Sequence, residues 1–416
     1  NTTCVMVYSG SPSGEATAAM QPVPRQPPCT PEKDLERCTI SLTDLQPWPS
    51  VWKDYKGDIW DEPHFKAAQQ SLFWQHRLPG NPVNRKARGG HSDAFDWDRH
   101  LAHVSNLYDM LLPYLLSHGR LNDDNLLIGE SGNGIPDVID EARNEVDFWL
   151  SVRDGEAYCH GLTNPSKDHT VMFQAGATTM AAWANAANCA MMADCFRLSG
   201  HKELETYYRE EAIKAFEFAS RQADTQLDER QDIGNGSMRG RDFKQMAAAF
   251  LYNVTGERRW EEIMAEECLM KEGIPLVSDP KAGCQIWGTA AYLVCPRERH
   301  YLELYAAMKR SITALAAQRH TAHIDKRPSR RAADNNYWQT AQNLHLVILA
   351  HFVSEEADAK RIFEKTLLLE ADWGLGRNPS NMVEMTGLGE RCIENCYTTG
   401  RNDGTPGLHP GHTPFN

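Results

Sequence analysis

The sequence lacks a long hydrophobic run, and this absence excludes one class of protein. No stretch of about eighteen apolar residues occurs in the 416-residue chain, so no membrane-spanning helix is predicted. Positive charge is also scarce, because 43 Lys and Arg residues stand against 56 Asp and Glu residues, for a formal net charge of −13. Nucleic acid is therefore a poor partner for this surface. The one basic cluster, RPSRR at 327–331, is interpreted as a solvated loop.

Other absences narrow the fold class. Period-2 strand patterns are nearly absent and no helical repeat of fixed period occurs, which argues against a sheet protein and an α-solenoid. The 11 cysteines show neither zinc-ribbon spacing nor a dense disulfide framework. Cys159, His160 and Cys284 are a conceivable zinc set, but the first two are adjacent, so buried structural cysteines are the preferred interpretation. We therefore predict no metal and no cofactor.

Amphipathic helices dominate what the sequence does contain. Residues 1–62 carry the Pro-rich run PVPRQPP and few helical periodicities, which predicts a linker or the remnant of an N-terminal module. Residues 63–416 are predicted to form one all-α domain, and Ala-rich stripes favour a closed double ring of closely packed helices. The predicted helices lie near 63–77, 97–118, 135–153, 173–199, 202–222, 242–255, 258–271, 283–294, 298–318, 335–354 and 356–374.

The segment NGIPDVIDEARNEVDFWL, residues 133–150, predicts a helix by itself. Pro136 falls in the first turn, where its fixed φ and missing N–H cost nothing. Apolar residues recur at three- and four-residue steps, so one face is expected to pack on a core. Asp137, Asp140 and Glu141 stand in the first turns, where the helix dipole favours negative charge. These acids alone therefore require no catalytic role.

The segment GGHSDAFDWDRH, residues 89–100, crowds three carboxylates together. Asp93, Asp96 and Asp98 fall within six positions. Like charges this close need a cation, a water that they polarise jointly, or a raised pKa, and this is one way to build a general-base site. The simpler alternative is a helix that begins at Trp97, with Asp96 as its cap and Asp98 in its first turn.

Together the two segments resemble family 9 glycoside hydrolases. NGIPD with its DEAR matches the signature of the family's inner helices, and GG followed by DAFD is similar in order and spacing to the family's glycine pair, aromatic pair and DAGD. Three further segments agree in order: LFWQHR at 72–77, DFKQMAAAFLYNVTG at 242–256, and ADWGLGRNPSNMVEMTGLG at 371–389.

The resemblance implies an (α/α)6 barrel, incomplete at its C-terminal end, that hydrolyses β-glycosidic bonds in a glucan or related oligosaccharide with inversion. By position, Asp96 takes the role of general base and Asp93 helps to hold the attacking water. The chain departs from the family at Phe95, where the family has glycine, and at His91 and Ser92, where it has an aromatic pair. These differences bear on substrate preference near the scissile bond.

The resemblance also implies a general acid, which in the family is a Glu beyond the LGxNP block. Glu384, Glu390 and Glu394 are the late candidates, and none matches the family motif. We therefore expect the acid to lie downstream of Asn416 together with the last barrel helix, the chain being a truncated segment.

Substrate-binding candidates come from the resemblance and from side-chain chemistry. Arg401 and His409 are loosely similar to the family's His-His-Arg cluster, and Trp97 and Trp338 are candidate platforms for sugar faces. A solvated loop for the first pair and core packing for the second are the alternatives. The resemblance favours an extracellular or periplasmic location. Two other functions stay open: an exo-acting glucosidase or glucosaminidase, whose acids would bind an amine, and a non-hydrolytic carbohydrate-binding protein.

Overall fold

A computed structural model of the chain describes residues 78, 83–84, 87, 89–91, 99–101, 104–163, 172–230, 238–270, 285–321 and 344–393. The predicted linker, 1–62, and the predicted helix near 63–77 lie outside these residues. Within them the structure is mainly helical, and none of the described helices is both long and apolar enough to cross a membrane.

Ten helices occur in the described part of the chain, and each corresponds to a predicted one. In chain order they are α1 Val104–Leu116, α2 Asp137–Ser151, α3 Thr179–Ser199, α4 Lys202–Ser220, α5 Gly240–Thr255, α6 Arg258–Glu267, α7 Ile286–Leu293, α8 Leu302–His320, α9 His345–Val353 and α10 Ala357–Gly374.

The helices alternate between an inner and an outer ring. The inner helices α1, α3, α5, α7 and α9 each contact the next, and α9 contacts α1, so that the described inner ring closes. The outer helices α2, α4, α6, α8 and α10 pack on them with one face. This arrangement confirms the predicted double ring. The NGIPD helix, α2, lies in the outer ring, and the prediction that it is an inner helix was wrong.

Small residues explain how the inner helix α3 is buried on all sides. Its residues from Met180 to Phe196 are buried, and many are alanines, which let neighbouring helices approach closely. The helix begins at a cap, because the Thr178 side chain accepts a hydrogen bond from the Ala181 N–H. It ends at Gly200, whose φ of 81° is the left-handed conformation that glycine adopts without strain.

Six short strands occur in the described part of the chain, at one end of the barrel, and the sequence did not predict them. They are β1 Val83–Asn84, β2 Arg99–His100, β3 Arg153–Asp154, β4 Ala157–Tyr158, β5 Gly161–Thr163 and β6 Met172–Gln174. Four of them form an antiparallel sheet in the order β1-β6-β5-β2, while β3 and β4 form a hairpin. Two predicted helix starts were therefore wrong: β2 precedes α1 and β6 precedes α3. Strands this short carry no local period, and their pairing is a long-range contact.

The two ends of the barrel differ in their connections. At the turn end, where inner helices finish, four connections span two to eight residues, at 200–201, 256–257, 294–301 and 354–356, and the fifth is 117–136. Short connections make consecutive helices antiparallel, so all inner helices begin at the opposite end, the loop end. There the connections are long, at 152–178, 221–239, 268–285 and 321–344.

At the turn end, two arginines donate hydrogen bonds to the last carbonyls of inner helices. Arg297 donates hydrogen bonds to the Asn253 and Val254 carbonyls in the last turn of α5. Arg299 donates to the Tyr292 and Leu293 carbonyls at the end of α7. The last carbonyls of a helix lack partners within the helix and carry partial negative charge, so guanidinium groups satisfy and stabilise them.

Candidate active site

The segment that carries Asp93 and Asp96 lies between the two edge strands of the four-stranded sheet. β1 pairs with β6 through Val83 and Phe173, and β2 pairs with β5 through Arg99 and Leu162. Because β5 and β6 belong to the connection between α2 and α3, this sheet lies at the loop end. The anchors on both sides of the acidic segment are thus described, whereas residues 92–98 themselves lie outside the described part of the chain.

Two glycines fasten the segment to α2. Gly89 and Gly90 have φ values of 78° and 80°, and the Gly90 N–H donates to the Asn144 carbonyl at 3.1 Å. A Cβ atom on Gly89 would lie 2.5 Å from Asn144 Oδ1 and 2.9 Å from the Asn144 carbonyl oxygen. Both the backbone conformation and the close approach therefore require glycine at this point.

His91 continues the anchor with a buried ion-pair cluster. Its backbone N–H donates to Glu145 Oε2, and its ring Nδ1 lies 3.3 Å from the same oxygen. On the other side, ring Nε2 lies 3.1 Å from Glu141 Oε1. Trp149 Nε1 completes the cluster by donating to Glu145 Oε1 at 2.6 Å. His91 and Glu145 are 5% and 0% exposed, so the imidazole is enclosed between two carboxylates one helical turn apart.

These carboxylates decide the charge of His91. Burial lowers the pKa of the imidazole, but the hydrogen bond with Glu141 and the charges of Glu145 and Glu141 outweigh burial and raise the pKa above its ordinary value of 6.5. The raised pKa favours the imidazolium form of His91 more than in an ordinary histidine at the same pH. The cluster then holds the chain immediately before Asp93 by charge-assisted hydrogen bonds.

The residue at which α1 begins excludes the helix-capping role that the sequence allowed for Asp96. The sequence alternative made Asp96 the cap of a helix beginning at Trp97, but α1 begins at Val104, eight residues after position 96, and Arg99–His100 is a strand. An N-cap side chain bonds to N–H groups two or three residues onward, so Asp96 is not the cap of α1. The structure therefore excludes this capping role of Asp96, and the catalytic role of the carboxylates stays a prediction.

The predicted site residues themselves lie outside the described part of the chain, so their placement stays a prediction. They are Asp93, Asp96, Trp97, Trp338, Arg401 and His409. Of the late glutamates, Glu384 is buried and accepts a hydrogen bond from Asn378 Nδ2 at 3.4 Å, and burial raises the pKa of its carboxyl. Glu390 is exposed, and Glu394 lies outside the described residues.

Sequence reasoning missed the role of Glu141 and Glu145. Glu141 was attributed to the helix dipole, and Glu145 was not singled out. The only local signal was their spacing of four residues, which places both on one face of α2. Their partner His91 is 54 residues away from Glu145, so the cluster was visible only in the fold.

The conceivable zinc set is only partly described, because Cys284 lies outside the described residues. Cys159 Sγ accepts a hydrogen bond from Gln174 Nε2 at 2.9 Å, and burial raises the pKa of the thiol to about 11. His160 Nδ1 lies 2.9 Å from Thr178 Oγ1. Cys159 is thus a protonated, buried thiol, which is the environment of a structural cysteine. Among the described residues, no group of three or more His, Cys, Asp or Glu side chains is placed to hold a metal.

Comparison with known proteins identifies the family. The model of glycosyl hydrolase family 9 matches residues 64–408. The chain therefore belongs to glycosyl hydrolase family 9. A comparison with curated proteins gives no match.

Solved structures show the same fold. A metagenome-derived glycoside hydrolase family 9 endoglucanase has 20% identity and a TM-score of 0.62, over 79% of this chain and 62% of that chain. A family 9 protein from Bacteroides ovatus has 19% identity and a TM-score of 0.61, over 78% and 64%. The family 9 endoglucanase J30 has 18% identity and a TM-score of 0.64, over 91% and 72%. The predicted (α/α)6 barrel is confirmed. The chain spans less than two thirds of the length of the first two structures.

Proposed function

We propose that the protein hydrolyses β-glycosidic bonds in a glucan or a related oligosaccharide, with inversion at the anomeric carbon. The observation that carries this proposal is the family match over residues 64–408, which includes both the segment of Asp93 and Asp96 and the NGIPD helix. The similar structures described as endoglucanases support a polysaccharide as the substrate class.

Asp96 is the general base in this proposal, and Asp93 orients the attacking water. An inverting hydrolase needs one carboxylate to activate water on one face of the sugar and a carboxylic acid to protonate the leaving oxygen on the other face. The two groups stand about 6.5 to 9.5 Å apart, which leaves room for the water. The water oxygen forms the new bond to the anomeric carbon while the glycosidic C–O bond breaks, and Asp96 takes the water proton.

The anchor on α2 supports this assignment. A base must be held within hydrogen-bond reach of its water, and a misplacement of about 1 Å lowers the rate severely. Gly90 and His91 are tied to Asn144 and Glu145 just before the two aspartates. In the proposal, Trp97 and Trp338 cover sugar faces, and Arg401 and His409 bind hydroxyls.

The test is hydrolysis by the full-length protein of cellodextrins and chitosan oligomers, with the anomer of the first product followed by proton NMR. The proposal predicts turnover of at least one series with an inverted, α-configured product. Release of the β-anomer would overturn the inverting mechanism. Binding of sugars without turnover would overturn the enzymatic proposal and favour a carbohydrate-binding protein.

A further inference from the structure

Asp109 is a carboxylate on an inner helix that neither the family motif nor the proposed chemistry uses. It stands on α1 between Tyr108 and Met110, in an otherwise largely apolar helix. Its side chain is 51% exposed, whereas the neighbouring Tyr108 is fully buried. A charge on an inner helix needs a reason, because the inner helices α3, α5 and α7 bury most of their side chains.

Two neighbouring inner helices hold one oxygen of this carboxylate. Trp287 Nε1, in the first turn of α7, donates a hydrogen bond to Asp109 Oδ1 at 3.2 Å. His345 Nδ1, at the first residue of α9, lies 3.4 Å from the same oxygen. The Trp287 and His345 rings also contact each other, with their centroids 5.5 Å apart. Both contacts fall on Oδ1, and the side chain as a whole stays half-exposed.

The contacts of Asp109 place it towards the loop end of the inner ring. Trp287 and His345 lie where their inner helices begin, which is the loop end. Partial desolvation raises the pKa of the Asp109 carboxyl, and His345 and the Trp287 hydrogen bond oppose this shift. A half-exposed carboxylate thus lies on the inner ring near the end that carries the long connections.

Two buried amides contact the chain next to Asp109 and next to Trp287. Asn188 on α3 accepts the Tyr108 hydroxyl, while its Nδ2 has no hydrogen-bond partner in the described structure. Gln245 on α5 packs directly on Gly288, since a Cβ atom at Gly288 would lie 2.1 Å from Gln245 Oε1. Both amides are fully buried, in contrast to the half-exposed carboxylate of Asp109.

We propose that Asp109 is a substrate-recognition residue whose half-exposed carboxylate accepts hydrogen bonds from hydroxyl groups of a bound β-glucan. This inference rests on the proposed function and adds to it a binding residue outside the family motifs. A carboxylate oriented in advance by an indole N–H and an imidazole loses little conformational freedom on binding a sugar, and a hydrogen bond to a charged acceptor is among the stronger ones.

The competing explanation is that Asp109 only joins three inner helices. Asp109→Asn separates the two roles, because asparagine has the same shape and keeps an oxygen for Trp287 while it loses the charge. Asp123→Asn is the matched control, since Asp123 is an exposed aspartate in the 117–136 connection at the turn end. Trp287→Phe is a second variant that keeps an aromatic ring but removes the N–H that orients the carboxylate.

The experiment measures the Kd of the full-length wild type and each variant for cellotetraose and for the chitosan tetramer by calorimetry, with the melting temperature and turnover of each protein. We expect Asp109→Asn to keep the wild-type melting temperature and to raise the Kd for both oligomers about tenfold. Trp287→Phe is expected to raise both Kd values to a smaller extent. Asp123→Asn is expected to leave both Kd values unchanged.

Each other outcome overturns the inference in a distinguishable way. A wild type that binds and hydrolyses sugars, with an unchanged Kd in Asp109→Asn, refutes the recognition role alone. A loss confined to the chitosan tetramer refutes hydroxyl recognition in favour of an amine. A lower melting temperature with unchanged Kd shows a structural role. A wild type that neither binds nor hydrolyses either oligomer contradicts both the proposed function and this inference.

Discussion

The two ends of this helical barrel differ in their hydrogen bonds and in the length of their connections. At the turn end, Arg297 and Arg299 satisfy the last carbonyls of inner helices, and the buried Glu261 accepts hydrogen bonds from Tyr292 at 2.7 Å and from the His300 backbone at 2.8 Å. At the loop end, the connections are long, and two- and three-residue strands form a sheet whose edge strands flank, in sequence, the segment that carries Asp93 and Asp96.

The difference separates contacts that stabilise the fold from those near the residues of the proposed chemistry. The turn-end groups named above are paired with one another, which stabilises a helix hairpin. At the loop end, His91 is held by α2 just before Asp93 in the sequence, and Asp109 is half-exposed. Substitutions at the two ends should therefore separate stability from activity if the proposed function is right.

The largest expected fall in kcat among the anchor variants is that of Gly89→Ala. The new Cβ would collide with Asn144 while alanine is forced to a φ of 78°, so we expect a loss of about 2 kcal/mol in the free energy of unfolding and about 100-fold in kcat. Urea denaturation and steady-state kinetics measure both.

Gly132→Ala is its control at the turn end. Gly132 has a φ of 92°, but no atom lies within 4 Å of the point where the alanine methyl group would stand. Strain alone should therefore cost about 1 kcal/mol, and kcat should be unchanged. Equal losses of activity in the two variants would contradict a special role of the Gly89 anchor.

His91→Gln should cause the next largest fall in kcat. It leaves Glu145 buried without its cation, and we expect about 3 kcal/mol of destabilisation at pH 5.5 and about a tenfold fall in kcat. Because the folded pKa of His91 is raised, this stabilisation is fully present below the ordinary pKa of 6.5 and is lost as the pH rises through the raised value. The free-energy difference between wild type and variant should therefore shrink at alkaline pH.

His300→Gln provides the comparison for that variant at the turn end. His300 Nδ1 lies 2.6 Å from Glu261 Oε2, so its replacement should cost about 1 kcal/mol of stability. Its kcat should equal that of the wild type. A fall in kcat as large as that of His91→Gln would mean that general destabilisation, rather than the position of the acidic segment, limits activity.

The smallest effect is expected for Asp124→Asn in the 117–136 connection. The Asp124 carboxylate accepts hydrogen bonds from the Gly132 and Gly134 N–H groups at 2.5 and 2.7 Å, and these bonds lower its pKa. Its contribution to stability is present above the ordinary Asp pKa and is lost as the pH falls through the lowered value. The melting temperature should fall by a few degrees at pH 7, with unchanged kinetics, and the difference should vanish in acid.

The rings were predictable from sequence because helical periodicity is local. An Ala-rich helix such as α3 carries its own signal in every turn. The sheet was not predictable, since Val83 pairs with Phe173 across 90 positions and neither strand is long enough to show alternation. The same limit explains why the start of α1 was misplaced by several residues.

The site shows the same limit. A short motif proposed Asp93 and Asp96, and both stay predictions because they lie outside the described residues. The contact between Trp287 and Asp109 joins residues 178 positions apart, and that between His91 and Glu145 joins residues 54 apart. A single sequence gives no signal for such pairs, and only the fold brings them together.

The most direct test of the claim that chemistry belongs to the loop end is the kcat/KM of Asp96→Asn measured beside that of Asp123→Asn in the full-length protein. We predict that Asp96→Asn loses about 1000-fold with an unchanged melting temperature, as expected when a general base is removed, while Asp123→Asn stays within about twofold of the wild type. Full turnover by Asp96→Asn would contradict the account.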